Sequence, residues 1–188
     1  MTKFFCKILI IISFLAPAIT IKSEDANAKN NKSENNKFSS KKKDDDDKKQ
    51  YIRISDLDDL NAGIWNGESG DIELIDDICV YSTLGTYVVT AEGSAPSGKF
   101  RVYNADNRKK RIDFKVYWND EAYNNSGEEE LKKKKASITQ TTTETKNKNC
   151  NRGTNLTARI RIVFDYDDLV SSRAGSYSGT LTLTIEPV

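Results

Sequence analysis

The feature that most constrains this chain is its last stretch, residues 175–188, Gly-Ser-Tyr-Ser-Gly-Thr-Leu-Thr-Leu-Thr-Ile-Glu-Pro-Val. Tyr177, Leu181, Leu183 and Ile185 occupy odd positions, and Ser178, Thr180, Thr182, Thr184 and Glu186 even ones. Successive side chains of a strand point to opposite faces, so the pattern predicts a strand with one apolar and one wet face. Gly175 and Gly179 loosen its entry. Pro187 ends it, because proline has no N–H to offer a neighbour. A chain that closes on a half-buried strand needs a sheet to receive it. This strand is expected either to line a groove in that sheet or to close it beside residues 156–164.

The rest of the chain supplies strands of the same kind. Tyr51-Ile52-Arg53-Ile54 alternates, and residues 71–82 carry Ile72 and Leu74 on one face, with a bulge expected at Asp76-Asp77. Tyr87–Thr90 and Phe100–Tyr103 follow as short strands. Ile112, Phe114, Val116 and Trp118 then alternate with Asp113, Lys115, Tyr117 and Asn119, which reads as one interior strand. Leu156, Ala158, Ile160, Ile162 and Phe164 repeat the pattern. Between these lie turns and loops, including a Gly- and Asn-rich stretch over residues 61–70 and a long polar segment over residues 120–149. That segment holds Glu128–Glu130 and Lys132–Lys135 back to back. Short period-two strands without a long amphipathic helix predict an all-β fold, an immunoglobulin-like antiparallel β-sandwich.

The beginning of the chain reads differently. Lys3 and Lys7 flank the first residues, residues 8–15 are apolar apart from Ser13, and small residues follow at Ala16-Pro17-Ala18 and Ala26-Asn27-Ala28. Basic, apolar, then small is the order of a secretory signal peptide. Residues 1–28 are assigned to it, with cleavage after Ala18 as the other position, and to a region outside the fold. The apolar run is short for a membrane span, and no later stretch offers one. The mature protein is therefore expected to be exported to the periplasm, the cell surface or the medium. Residues 29–50 carry eight Lys against Glu34 and four Asp, with Phe38 the single aromatic. Such a composition cannot offset the entropy of ordering, so it reads as a disordered charged leader. The run Asp44–Lys48 within it matches an enteropeptidase cleavage sequence and is read as a solvated charge run.

With Cys6 assigned to the signal peptide, Cys79 and Cys150 are the remaining cysteines. In an oxidising compartment they most simply form one bridge. Closing a loop of that length stabilises by roughly 4 kcal/mol in the chain-entropy account. A zinc site is the competing reading, but the sequence has no histidine to complete one. Residues 51–188 carry 18 Lys and Arg against 21 Asp and Glu, interspersed, which is no nucleic-acid footprint. Acidic clusters at Asp56/Asp58/Asp59, Asp76/Asp77 and Asp165/Asp167/Asp168 offer oxygens to a hard cation, the last being the candidate calcium position. Ordinary turn and cap chemistry explains them better. The absence of histidine, of a Gly-rich phosphate loop and of a nucleophile elbow argues against an enzyme, and no cofactor is implied.

Three segments resemble the spore coat protein U-like domain family, which includes subunits of archaic chaperone–usher pili. These are Cys79-Val80-Tyr81-Ser82 with Gly85-Thr86-Tyr87-Val88-Val89 and Gly93; residues 112–120, a Tyr-containing strand ending in Asp120; and the closing Gly175-Ser176-Tyr177-Ser178-Gly179-Thr180 with its following strand. The resemblance runs from about Tyr51 to the end. It implies a sandwich that lacks one strand, with a periplasmic chaperone and then neighbouring subunits as protein partners that fill the gap by strand addition. Residues 29–50 carry no alternating apolar residues to donate. The chain is thus expected to be a pilus-type structural subunit, or else a self-complete exported binding or adhesion module.

Overall fold

The alternating segments pair into two sheets that face each other across one apolar core. The computed structural model describes residues 4–13, 51–148 and 150–188; in the first of these segments side chains are described at Ile10 and Ile11. The expected leader, the Asp44–Lys48 run and both candidate cleavage positions lie outside the described residues.

Eleven strands are described: β1 (Phe4–Ser13), β2 (Ile52–Ser55), β3 (Leu60–Ile64), β4 (Ile72–Ser82), β5 (Tyr87–Gly93), β6 (Arg101–Asn104), β7 (Arg111–Asp113), β8 (Lys115–Asn119), β9 (Glu129–Glu130), β10 (Ala158–Phe164) and β11 (Ser176–Pro187). One sheet runs β3-β1-β11-β6-β7, with β5 also paired to β11; the other runs β2-β4-β10-β8-β9. The architecture is an immunoglobulin-like β-sandwich. Ile78, Val80, Val116, Trp118, Ile160 and Ile162 from the smaller sheet meet Val89, Val102, Leu181, Leu183 and Ile185 from the larger one.

Several strands differ from the sequence expectation for identifiable reasons. Residues 112–118 are two strands. β7 pairs with β6 in the larger sheet, β8 pairs with β10 in the smaller one, and Phe114 makes the crossing with its N–H donated to the Phe100 carbonyl at 3.1 Å. The alternation survives because both strands turn the same parity of residues to the shared core. No bulge forms at Asp76-Asp77: β4 holds continuous register against β10 from Ile72 to Ile78. The period-two signal fades after Asp77 because residues 78–82 are buried on both faces. The loop around Glu144 bonds to Val80 and Ser82, and the Thr157 Oγ1 accepts from the Val80 N–H at 2.9 Å. Finally, β11 does not lie beside residues 156–164. β10 and β11 belong to opposite sheets and meet through their side chains.

Cys79 and Cys150 form a disulfide that spans 71 positions of sequence and ties β4 to the end of the long loop. Cys150, Asn151, Arg152 and Gly153 all have positive φ, between 41° and 80°, and form a single left-handed helical turn. Such backbone costs L-residues about 1–2 kcal/mol each, so surrounding bonds must hold it. The Asn155 N–H, donated to the Cys150 carbonyl at 3.0 Å, is one of them. Gly175 is needed where it stands: its φ is 142°, and a Cβ there would lie 2.3 Å from the Asn104 Nδ2. Asn104 is itself fixed, accepting from the Asp106 and Asn107 N–H groups at 3.0 Å. Tyr177, just beyond, donates its hydroxyl to the Arg173 carbonyl at 2.8 Å, in the manner of the tyrosine corner of immunoglobulin-like sandwiches.

Two substitutions test the core. Leu183→Asp places a charge among side chains with no cation to meet it and is expected to cost several kcal/mol, on the order of 4, enough to lose cooperative unfolding by circular dichroism. Tyr87→Phe should cost nothing and raise the melting temperature slightly. The Tyr87 hydroxyl and the Trp118 indole N–H are buried without a hydrogen bond of good geometry among the described residues, and removing an unsatisfied group is worth about 1 kcal/mol.

Candidate interaction groove

The closing strand and its neighbours define a slot in the larger sheet. Tyr177, Leu181, Leu183 and Ile185 are all fully buried, so the apolar face of β11 forms one wall of the core. On one edge β11 pairs with β6 at Tyr177 and Ser178 and with β5 from Leu181 to Pro187. Its other edge is taken along ten consecutive positions by β1, antiparallel, from Ser176 opposite Ser13 to Ile185 opposite Phe4.

β1 is thus a strand of the sheet, although its residues read as a segment outside the fold. It is inserted between β11 and β3, running parallel to β3 with Ile10 opposite Leu60 and Ile11 opposite Asn61, then shifting register before Ser13. Ile10 is fully buried and joins the core cluster. Opposite it on β11 stands Gly179, whose missing side chain lets the β6 backbone approach: a Cβ there would lie 2.7 Å from the Arg101 carbonyl. Among the described residues β3 has no strand partner except β1. Take β1 away and β11 presents an open edge from Ser176 to Ile185, with β3 left without a ladder. The slot is therefore shaped for one extended, apolar segment. Main-chain hydrogen bonds would supply affinity, and alternate side chains entering the core would supply selection.

The far wall is positioned by polar contacts. The turn between β2 and β3 is anchored where the Asp76 Oδ2 accepts the Asp58 N–H at 2.9 Å. Beyond β3, Trp65 packs edge-on against Tyr166 with ring centroids 6.4 Å apart. Burial pushes the Asp76 carboxyl up to about 6 against the pull of the Asp58 N–H, and the charges of Asp58, Asp77 and Asp56 push the same way. Asp77 goes the other way. Burial alone would raise it, but the bidentate Arg159 guanidinium at 2.8 Å and the Tyr123 N–H hold it below the usual carboxylate range.

Arg159 and Arg161 sit on the outer face of the smaller sheet, away from the slot. Arg159 also reaches the Asn125 Oδ1 at 2.7 Å, and Arg161 joins Glu73 on β4 to Glu128 in the long loop while covering the Tyr117 ring. Those pairs fasten the loop over the sheet. The candidate calcium residues do not converge. The Asp165 carboxylate pairs with the Lys115 Nζ at 2.9 Å, while Asp167 and Asp168 lie in the first turn of a short helix, Tyr166–Val170. Among the described residues no group of three His, Cys, Asp or Glu side chains is placed to hold a metal ion.

β3 escaped sequence reasoning because Asn61 and Gly63 mark the stretch as loop. The alternation of Leu60, Ala62 and Ile64 was the signal available. For β1 the signal was the β-branched run Ile10-Ile11-Ile12, which suits a strand as well as a signal peptide.

No family model matches this chain, and no curated protein does. Among solved structures it is similar to a chain from work titled "Chaperone-tip adhesin complex is vital for synergistic activation of CFA/I fimbriae biogenesis". The two are 15% identical with a TM-score of 0.47, over 73% of this chain and 41% of the other.

The raised Asp76 sets a pH dependence. The folded state keeps this proton to higher pH than the unfolded chain, so stability from this site is full below about pH 4 and falls as pH rises towards 6. Asp76→Asn keeps an oxygen for the Asp58 N–H and removes the charge. It should stabilise the protein at neutral pH by about 1 kcal/mol, a figure discounted because the group is only half-buried. Urea unfolding at neutral pH and near pH 4 measures this, and the gain should vanish at the lower pH.

Proposed function

We propose that this protein is an exported structural subunit of pilus type, which assembles at the cell envelope by accepting an extended strand into the slot between β11 and β3. One observation carries the reading: the slot takes a segment from a part of the sequence that has the order of a signal peptide. Removal of that segment on export opens the β11 edge over ten positions and strips β3 of its partner. An exposed edge of that length invites pairing with another chain, and a long-lived protein must have it filled. A periplasmic chaperone and then a neighbouring subunit are the partners of this kind. The resemblance at residues 79–93, 112–120 and 175–184 supports the same reading, and the action proposed is protein contact without catalysis. No helix among the described residues is long and apolar enough to cross a membrane.

A second reading has its own support. Residues 4–13 come from the same chain, so a protein that retains them has a complete sheet and needs no partner; it would be a stand-alone binding or adhesion module.

Residues 29–188, purified with the disulfide formed, separate the two. On the proposed reading this fragment aggregates or melts broadly, and a synthetic peptide of residues 4–13 restores a soluble species with a sharp transition. A fragment that is already a monomer with a cooperative melt, unmoved by the peptide, would give the decision to the stand-alone module.

A further inference from the structure

A second recess lies at the opposite end of the larger sheet, where β7 and β8 part at the Phe114 crossing. It is a cleft of about 310 Å³. Phe100, Phe114 and Leu131 form its floor, with the Phe100 ring stacked on Phe114 at 5.8 Å and an interplanar angle of 19°. Phe114 and Leu131 are nearly buried, whereas Phe100 is half-buried and gives the cleft an apolar surface.

The rim is cationic. Lys99, Arg101, Lys115, Lys132 and Lys133 line it against two acids, Asp113 and Glu130. The acids are already engaged: Asp113 takes a two-pronged contact from Arg101, and Glu130 pairs with Lys132. Lys99 and Lys133 form no ion pair among the described residues. The tight turn closed by the Lys135 N–H on the Lys132 carbonyl divides the lysine run. It sends Lys134 across to Glu92 and leaves Lys132 and Lys133 over the aromatic floor. With Arg101, Lys115 and Lys132 each paired to a carboxylate, Lys99 and Lys133 leave the rim net positive around a low-dielectric floor, which concentrates counter-charge in the recess.

From this geometry we infer that the cleft binds an anionic glycan, a chain carrying sulfate or carboxylate groups whose sugar ring rests on Phe100 while its anions meet Lys99, Lys132 and Lys133. The recess is of the size that ligand pockets begin at, with an apolar base and a few polar groups around it. An acidic peptide is the less favoured polyanion. The strands that border the cleft, β7 and β9, each bring an acid to it, Asp113 and Glu130, which an added acidic strand would set beside its own carboxylates. The site is independent of the slot around β1, since β11 and β6 stand between the two along the sheet. A subunit filled from either source keeps the cleft free.

The full chain, titrated by calorimetry with a sulfated uronate octasaccharide at two salt concentrations, tests this. Binding is expected, it should weaken as salt rises, and a neutral oligosaccharide of equal length should give no heat. The Lys132→Glu/Lys133→Glu double variant should bind about tenfold more weakly, and the Lys146→Glu/Lys148→Glu variant, with the same change of net charge, less than about twofold. Both positions of the first variant are exposed, and an unchanged melting temperature checks its fold; Lys133→Ala serves as a second, milder variant. No binding by the full chain, or equal losses in the two double variants, would overturn the proposal. So would a poly-glutamate peptide binding as tightly as the octasaccharide.

Discussion

The backbone ladder on the two edges of β11 is what the larger sheet depends on. β6 and β5 reach it from one side and β1 from the other, and among the described residues β3 is joined to the sheet only through β1. Its apolar face simultaneously closes the core against the smaller sheet. One strand thus carries both the hydrogen-bond continuity of a layer and a wall of the interior. An unfilled edge on it leaves polar backbone bare and apolar side chains wet together. That coupling makes the pairing of β1 with β11 part of folding rather than a surface contact.

The smaller sheet is finished differently. Its outer face carries two arginines, each shared between a strand acid and the long loop, so residues 120–130 are fastened as a cover. Further along, residues 134–140 lie against the outer edge of β5, exchanging bonds with Val89, Ala91 and Tyr87. The polar composition of the loop, which reads as solvent-exposed connection, is the chemistry needed to satisfy edges and faces that the strands leave open.

Much of the sandwich was legible in the sequence because period-two alternation reports one-sided burial. Tyr177, Leu181, Leu183 and Ile185 show it, as do Ile160 and Ile162. Alternation cannot report which sheet a strand joins. Residues 112–118 alternate without a break across a change of sheet, and residues 156–164 and 175–188 carry equivalent patterns on opposite walls. Nor can it report a strand covered on both faces, as in the second half of β4. Apart from β11, neither the segment in the slot nor the far wall could be read. The β1 segment has the composition of an export signal, and β3 is interrupted by Asn61 and Gly63. The left-handed turn at residues 150–153 leaves no propensity signal beyond Asn151 and Gly153.

The antiparallel match between β1 and β11 has a mechanical consequence. Hydrogen bonds in such a ladder lie perpendicular to the strands, so tension along the inserted segment loads the bonds of all ten paired positions in shear. They cannot be opened one at a time from an end, as they would be if the strand were peeled sideways. A segment held in this slot resists being drawn out lengthwise far better than it would resist being peeled away from one end.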